Sequence, residues 1–111
     1  MSENLIDYQE ALERLGGDEE FLKELLHELV DQFDQNFDEI KHAISSKNYD
    51  ELRSLSHSLK GASANLNVTR MASHFLKLED LGDSQKIDGA EKLLELVAND
   101  RNELELFLSR N

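Results

Sequence analysis

Residues 21–45 read FLKELLHELVDQFDQNFDEIKHAIS, and their pattern decides the fold. Leu22, Leu25, Leu26, Leu29, Phe33, Phe37, Ile40 and Ile44 recur at spacings of three and four, one apolar stripe along about seven helical turns. The same spacing continues on both sides. Upstream, Leu5, Tyr8, Leu12 and Leu15 mark a short first helix that Gly16-Gly17 ends, and Asp18 is placed to cap the long one. Downstream, Lys47-Asn48 makes a tight break with Asn48 as N-cap, and Leu52, Leu55, Leu59, Ala62 and Leu66 carry the next stripe. Asn67 is expected to end that helix, because Asn tolerates the left-handed conformation nearly as well as Gly.

Thr69 is read as the cap of a further helix with Met71, Phe75 and Leu78 inward, ending near Leu81-Gly82. Asp83 to Ile87 form the connection, and Asp88 opens a last helix with Ala90, Leu93, Leu94, Val97, Leu104 and Leu108 inward. Arg101 interrupts that stripe, which predicts a kink or fraying there. No strand candidate exists, and Pro is absent. The expected class is all-α: an antiparallel up-and-down four-helix bundle with a short N-terminal capping helix, one domain over residues 1–111.

Composition removes several functions. With no Cys among 111 residues there is no disulfide framework, zinc-thiolate site or thiol nucleophile. No signal-like start or membrane-length apolar run occurs, so the expectation is a cytoplasmic protein; Met1 with tails lacking linker character favours a free-standing protein, and a monomer is expected. A net charge of -12 repels phosphate backbones and anionic lipid, which leaves nucleic acid and membrane as poor partners and another protein as the better one.

Chemistry then rests on the four histidines. At 100° per residue from Leu52, the inner stripe of the third helix averages about 310° and His57 falls at about 140°, facing solvent. Arg53, Ser54, Lys60, Gly61 and Ala64 share that outer face. A mid-helix glycine costs up to about 1 kcal/mol relative to Ala, so Gly61 suggests cleared space over the imidazole. Between Leu52 and Leu78 lie Arg53, Lys60, Arg70 and Lys77 and no acid, a local +4 in an acidic chain. An open imidazole beside a cation suits a nucleophile that accepts a phosphoryl group, since imidazole's reference pKa of about 6.5 leaves the ring largely neutral near pH 7.

His57-Ser58-Leu59-Lys60-Gly61-Ala62-Ser63-Ala64-Asn65-Leu66 resembles the His-x-Leu-Lys-Gly signature of histidine-containing phosphotransfer (HPt) domains, and the resemblance spans nearly the whole chain. It departs at Asn67, where many members have Gly, and at Glu79, where some have Gln. The resemblance implies that His57 takes a phosphoryl group from a receiver-domain aspartyl phosphate and passes it to another receiver aspartate, within a two-component phosphorelay. By the same resemblance Lys60 stabilises the phosphoryl oxygens, Gly61 and Ala64 give steric access, Arg53 and Ser54 belong to the docking face, and Glu79 contacts the ring. The implied partners are response-regulator receiver domains and a hybrid sensor histidine kinase. The chain needs no cofactor of its own, the receiver supplying Mg²⁺, and is a phosphohistidine carrier without ATP site or autokinase activity.

Two other readings compete. Glu24-x-x-His27 has the spacing of a di-iron helix motif, but both residues lie at about 200° and 140° against a core stripe at about 20°, and no second motif exists, so no metal site is expected. The stronger rival is a non-catalytic acidic interaction module using the same outer face. His42 reads as solvated, and His74 as a partly buried structural residue at the margin of its helix.

Overall fold

The computed structural model describes residues 4–110; Met1, on which the free-standing reading partly rests, lies outside them. Five helices follow in order: α1 (Tyr8–Arg14), α2 (Glu19–Ser45), α3 (Tyr49–Asn65), α4 (Thr69–Ser84) and α5 (Ala90–Arg110), with no strand among the described residues. Helices α2 to α5 pack in sequence order and α5 closes against α2, giving the expected four-helix bundle. Adjacent helices run antiparallel, as the α3–α4 pairing shows: His57 meets Glu79 while Arg53, one turn earlier, meets Gly82.

The apolar stripes converge on one core. Leu22, Leu26, Leu29, Phe33 and Ile40 from α2 meet Leu52 and Leu59 from α3, Met71, Phe75 and Leu78 from α4, and Val97 and Leu104 from α5, all buried. Phe33 sits at its aromatic centre, stacked on Phe37 at 5.1 Å and edge-on to Phe75 at 5.9 Å. The caps of α1, α2 and α3 are aspartate or asparagine: Asp7, Asp18 and Asn48 accept from the backbone N–H groups of Glu10, Phe21 and Glu51.

Helix α4 departs from expectation at both ends. Thr69 is its first residue rather than its cap; Val68 holds the cap position with no side-chain bond, and the Thr69 hydroxyl instead faces the Asn4 carbonyl at 3.4 Å. The Leu5 carbonyl accepts from the Arg70 N–H at 3.3 Å, so the segment before α1 satisfies an orphan donor that a cap residue would otherwise take. At the other end α4 continues past Gly82 to Ser84 and stops at Gln85, in the left-handed region with φ 57°. The last helix begins at Ala90, two residues after Asp88.

Gly82 therefore lies inside α4, and its role is contact. A Cβ there would stand 2.7 Å from the Arg53 nitrogen and 2.9 Å from the Tyr49 carbonyl oxygen, so α4 rests directly on the backbone of α3. Two small residues of α3, Ser56 and Ser63, are also buried.

Polar ties fix the remaining faces. Arg101 neither kinks nor frays α5; it lies within a continuous helix, its guanidinium bidentate on Asp34 of α2 at 2.9 and 2.8 Å and paired with Glu105. Its charge reaches across to α2, a tie that apolar periodicity alone does not reveal. Between α4 and α5, buried Asp100 accepts from Arg70 at 2.8 Å and pairs with His74. His74 thus has the partly buried structural place its position suggested.

Asn67 ends α3 as expected, with φ 58°. Its side chain explains why a glycine would not serve as well. The side-chain amide donates to Glu10 at 2.9 Å and accepts from Arg14 at 2.9 Å, and the Asn67 backbone carbonyl accepts from the Asp7 N–H. Helix α1 is thereby fastened over the end of the bundle, and Tyr8 packs edge-on against Phe107 at 5.4 Å.

Gly82→Ala is expected to destabilise the fold by about 1–3 kcal/mol, because the methyl group meets backbone that cannot move aside independently. A urea-unfolding midpoint equal to that of the parent contradicts the close-contact role.

Candidate functional site

The narrow α3–α4 seam places Glu79, about one turn before Gly82, opposite His57. Glu79 Oε2 is 2.9 Å from His57 Nδ1, and Oε1 is 2.7 Å from Lys60 Nζ. One carboxylate therefore holds two α3 side chains that lie on the same face, three residues apart. Exposure grades outward, from 17% for the Glu79 side chain through 27% for Lys60 to 63% for His57.

The Lys60 ammonium holds the Glu79 carboxyl below the usual carboxylate range; burial opposes this, and the bond to His57 reinforces it. An ionised carboxylate can only accept. Nδ1 of His57 must then carry the hydrogen of the neutral ring, leaving the Nε2 lone pair free, and Nε2 has no partner among the described residues. The arrangement presents an immobilised, solvent-facing nucleophilic nitrogen with a cation one turn away.

Gly61 is open: a Cβ built there meets nothing within 4 Å. Its absence of side chain serves no packing, the reverse of Gly82. Ala64, Arg53 and Ser54 are all exposed on the same helix. From α2, Gln32 donates to the Ser58 hydroxyl at 3.3 Å, bringing a third element to the site's border.

A shallow groove beside Lys60 and Ala64 is walled by Ala72, Ser73 and Leu76 of α4, with Leu76 44% exposed. Sequence reasoning missed Leu76. The available signal was its position, about 100° from Phe75 and off the Met71–Phe75–Leu78 stripe.

The local +4 of the sequence is partly spent by folding. Lys60 is paired with Glu79, which follows the acid-free stretch by one residue, and Arg70 faces α5, paired with Asp100 and Glu103. Arg53 and Lys77 stay exposed. The outer histidines His27 and His42 are exposed, as is Glu24, and no group of three or more His, Cys, Asp or Glu side chains that could hold a metal occurs among the described residues. Likewise, no helix among them is long and apolar enough to cross a membrane.

Comparison with known proteins places this geometry. The family model of the Hpt domain matches residues 20–110. The chain belongs to the Hpt domain family. It is 30% identical over 87 residues to the phosphorelay intermediate protein YPD1 of Candida albicans, covering 76% of this chain and 47% of that one. It is 32% identical over 87 residues to the multistep phosphorelay regulator 1 of Schizosaccharomyces pombe, covering 78% of this chain and 30% of that one. The chain thus spans about half or less of these relatives. The crystal structure of histidine-containing phosphotransfer protein B from Pseudomonas aeruginosa PAO1 has the same fold, with a TM-score of 0.86 at 19% identity over 98% of this Hpt chain and 95% of that one.

Two outcomes follow for the site. Gly61→Ala should raise stability by up to about 1 kcal/mol, since the methyl group enters open space on a helix; a loss measured by urea unfolding would show an unseen packing role. Because Glu79 titrates lower in the folded state, its stabilisation is complete above the ordinary carboxylate value of 4.5 and is lost as pH falls through the folded value. The stability difference between wild type and Glu79→Gln should therefore shrink on acidification below that value; a difference that stays constant or grows contradicts the pairing.

Proposed function

We propose that this protein is a phosphorelay intermediate in two-component signalling, a cytoplasmic carrier that accepts a phosphoryl group on His57 and delivers it to a receiver domain. The observation that carries this reading is the His57 ring itself, tied through Nδ1 to Glu79 with Nε2 unpartnered and exposed, in a chain of the Hpt family. Relatives named as phosphorelay proteins support it.

In the first transfer Nε2 attacks the phosphorus of a receiver aspartyl phosphate in line. The Nε2–P bond forms as the acyl O–P bond breaks, and the aspartate carboxylate leaves with the bonding electrons. Delivery reverses these steps on a second receiver. Little is asked of this chain beyond position and charge: Glu79 fixes the tautomer and ring plane, and Lys60 offers positive charge to the phosphoryl oxygens. Mg²⁺ belongs to the receiver, and this chain contributes no ATP site and no autokinase step. Gly61 and Ala64 let the receiver's loops approach, and Arg53 and Ser54 extend the docking face. A hybrid sensor kinase with its own receiver fits as the upstream partner.

Incubation with a phosphorylated receiver should transfer acid-labile, base-stable label to the wild type and none to His57→Gln. Absence of label from every receiver tried, or equal labelling of the variant, defeats the reading. Gly61→Leu should keep its circular-dichroism spectrum and lose transfer by obstruction. Lys60→Ala should transfer more slowly without losing the reaction.

A further inference from the structure

Glu79 holds the cation that the proposed phosphotransfer would also use. Its carboxylate stands between a neutral ring N–H on one oxygen and the Lys60 ammonium on the other, largely shielded from water. While the ring is neutral, Lys60 is the only full positive charge among the described residues paired with that carboxylate, and removing it would leave a buried anion with a single neutral donor. Lys60 is therefore held back from solvent in the unmodified protein.

Phosphorylation changes the charges on both sides of the ring. When Nε2, starting from the Nδ1–H tautomer, bonds to phosphorus, the ring becomes cationic and a phosphoryl dianion stands on its outer edge. Glu79 then has a full positive charge 2.9 Å away at Nδ1 without Lys60. Lys60, one turn from His57 on the same face, gains a doubly charged anion within the span of its flexible stem. We propose that Lys60 changes partner when His57 is phosphorylated, passing from the Glu79 carboxylate to the phosphoryl group while Glu79 becomes the counter-ion of the cationic ring. This rests on the phosphotransfer reading of His57 and deepens it.

The exchange adds an ion pair and breaks none without replacement. One pair and one neutral hydrogen bond become two pairs, so no buried charge is stranded at any stage. It also makes the two forms distinguishable from outside: a docking partner meets Lys60 folded onto α4 in the free form and drawn over the phosphoryl group in the loaded form.

The test does not need a receiver. Phosphoramidate can phosphorylate histidine directly, its P–N bond breaking with release of ammonia as the Nε2–P bond forms. Wild type and Lys60→Ala are each compared by NMR at neutral pH before and after such loading, with His57→Gln as the control that identifies the signals due to His57. In the free proteins Lys60→Ala should displace the Glu79 carboxyl carbon resonance; in the loaded proteins it should leave that resonance in place and displace the phosphorus resonance instead. Equal displacement of the Glu79 carbon in both forms, or a phosphorus resonance indifferent to Lys60, overturns the exchange. Loading of His57 with no onward transfer to any receiver would defeat the relay reading and leave the exchange standing, whereas failure of His57 to load overturns both.

Discussion

The site depends on how closely α3 and α4 approach. Gly82 sits directly on the backbone of Arg53, and three residues before it the Glu79 carboxylate reaches across the same seam to α3. The Gly82 contact is steric and carries no charge, yet it sets the electrostatics above it. With the seam narrow, one carboxylate reaches both His57 and Lys60, and its ionisation dictates which ring nitrogen carries hydrogen. A packing constraint is converted into a chemical one.

The two mid-helix glycines show how the same residue type serves opposite ends. Gly82 lacks a side chain where two parts of one molecule touch, and Gly61 lacks one where the helix faces open space, on the side proposed to meet a receiver. Both lower intrinsic helix stability, and only the first recovers the loss through internal packing. Stability is thus surrendered on the exposed face at His57 and secured elsewhere: in the Phe33–Phe75 core, the Arg101–Asp34 clamp between α2 and α5, and the Asp100 pairs between α4 and α5.

Much of this was legible in the sequence because helical periodicity and capping are local. The stripe from Leu22 to Ile44, the caps at Asp18 and Asn48, the turn at Asn67 and the outward direction of His57 all follow from residues within a turn or two of one another. What escaped was non-local. Thr69 looks like a cap until a carbonyl from residue 5 arrives to satisfy α4, and Gly82 looks like a terminator until α3 is placed beneath it. Arg101 breaks an apolar stripe on paper and joins two helices in space. The cationic stretch around His57 likewise loses Lys60 and Arg70 to acids that only the fold brings near.

The Asn67 side chain has a consequence at a distance from the chemistry. It binds Glu10 and Arg14 of α1 from the turn that closes the α3–α4 hairpin, and the segment before α1 feeds a carbonyl to the start of α4. The first helix and that turn cannot open separately without breaking these bonds. Amide hydrogens of α1 and of the first turn of α4 should consequently exchange as one cooperative unit, and the end of the hairpin remote from His57 behaves as a closed hinge rather than a fraying tip.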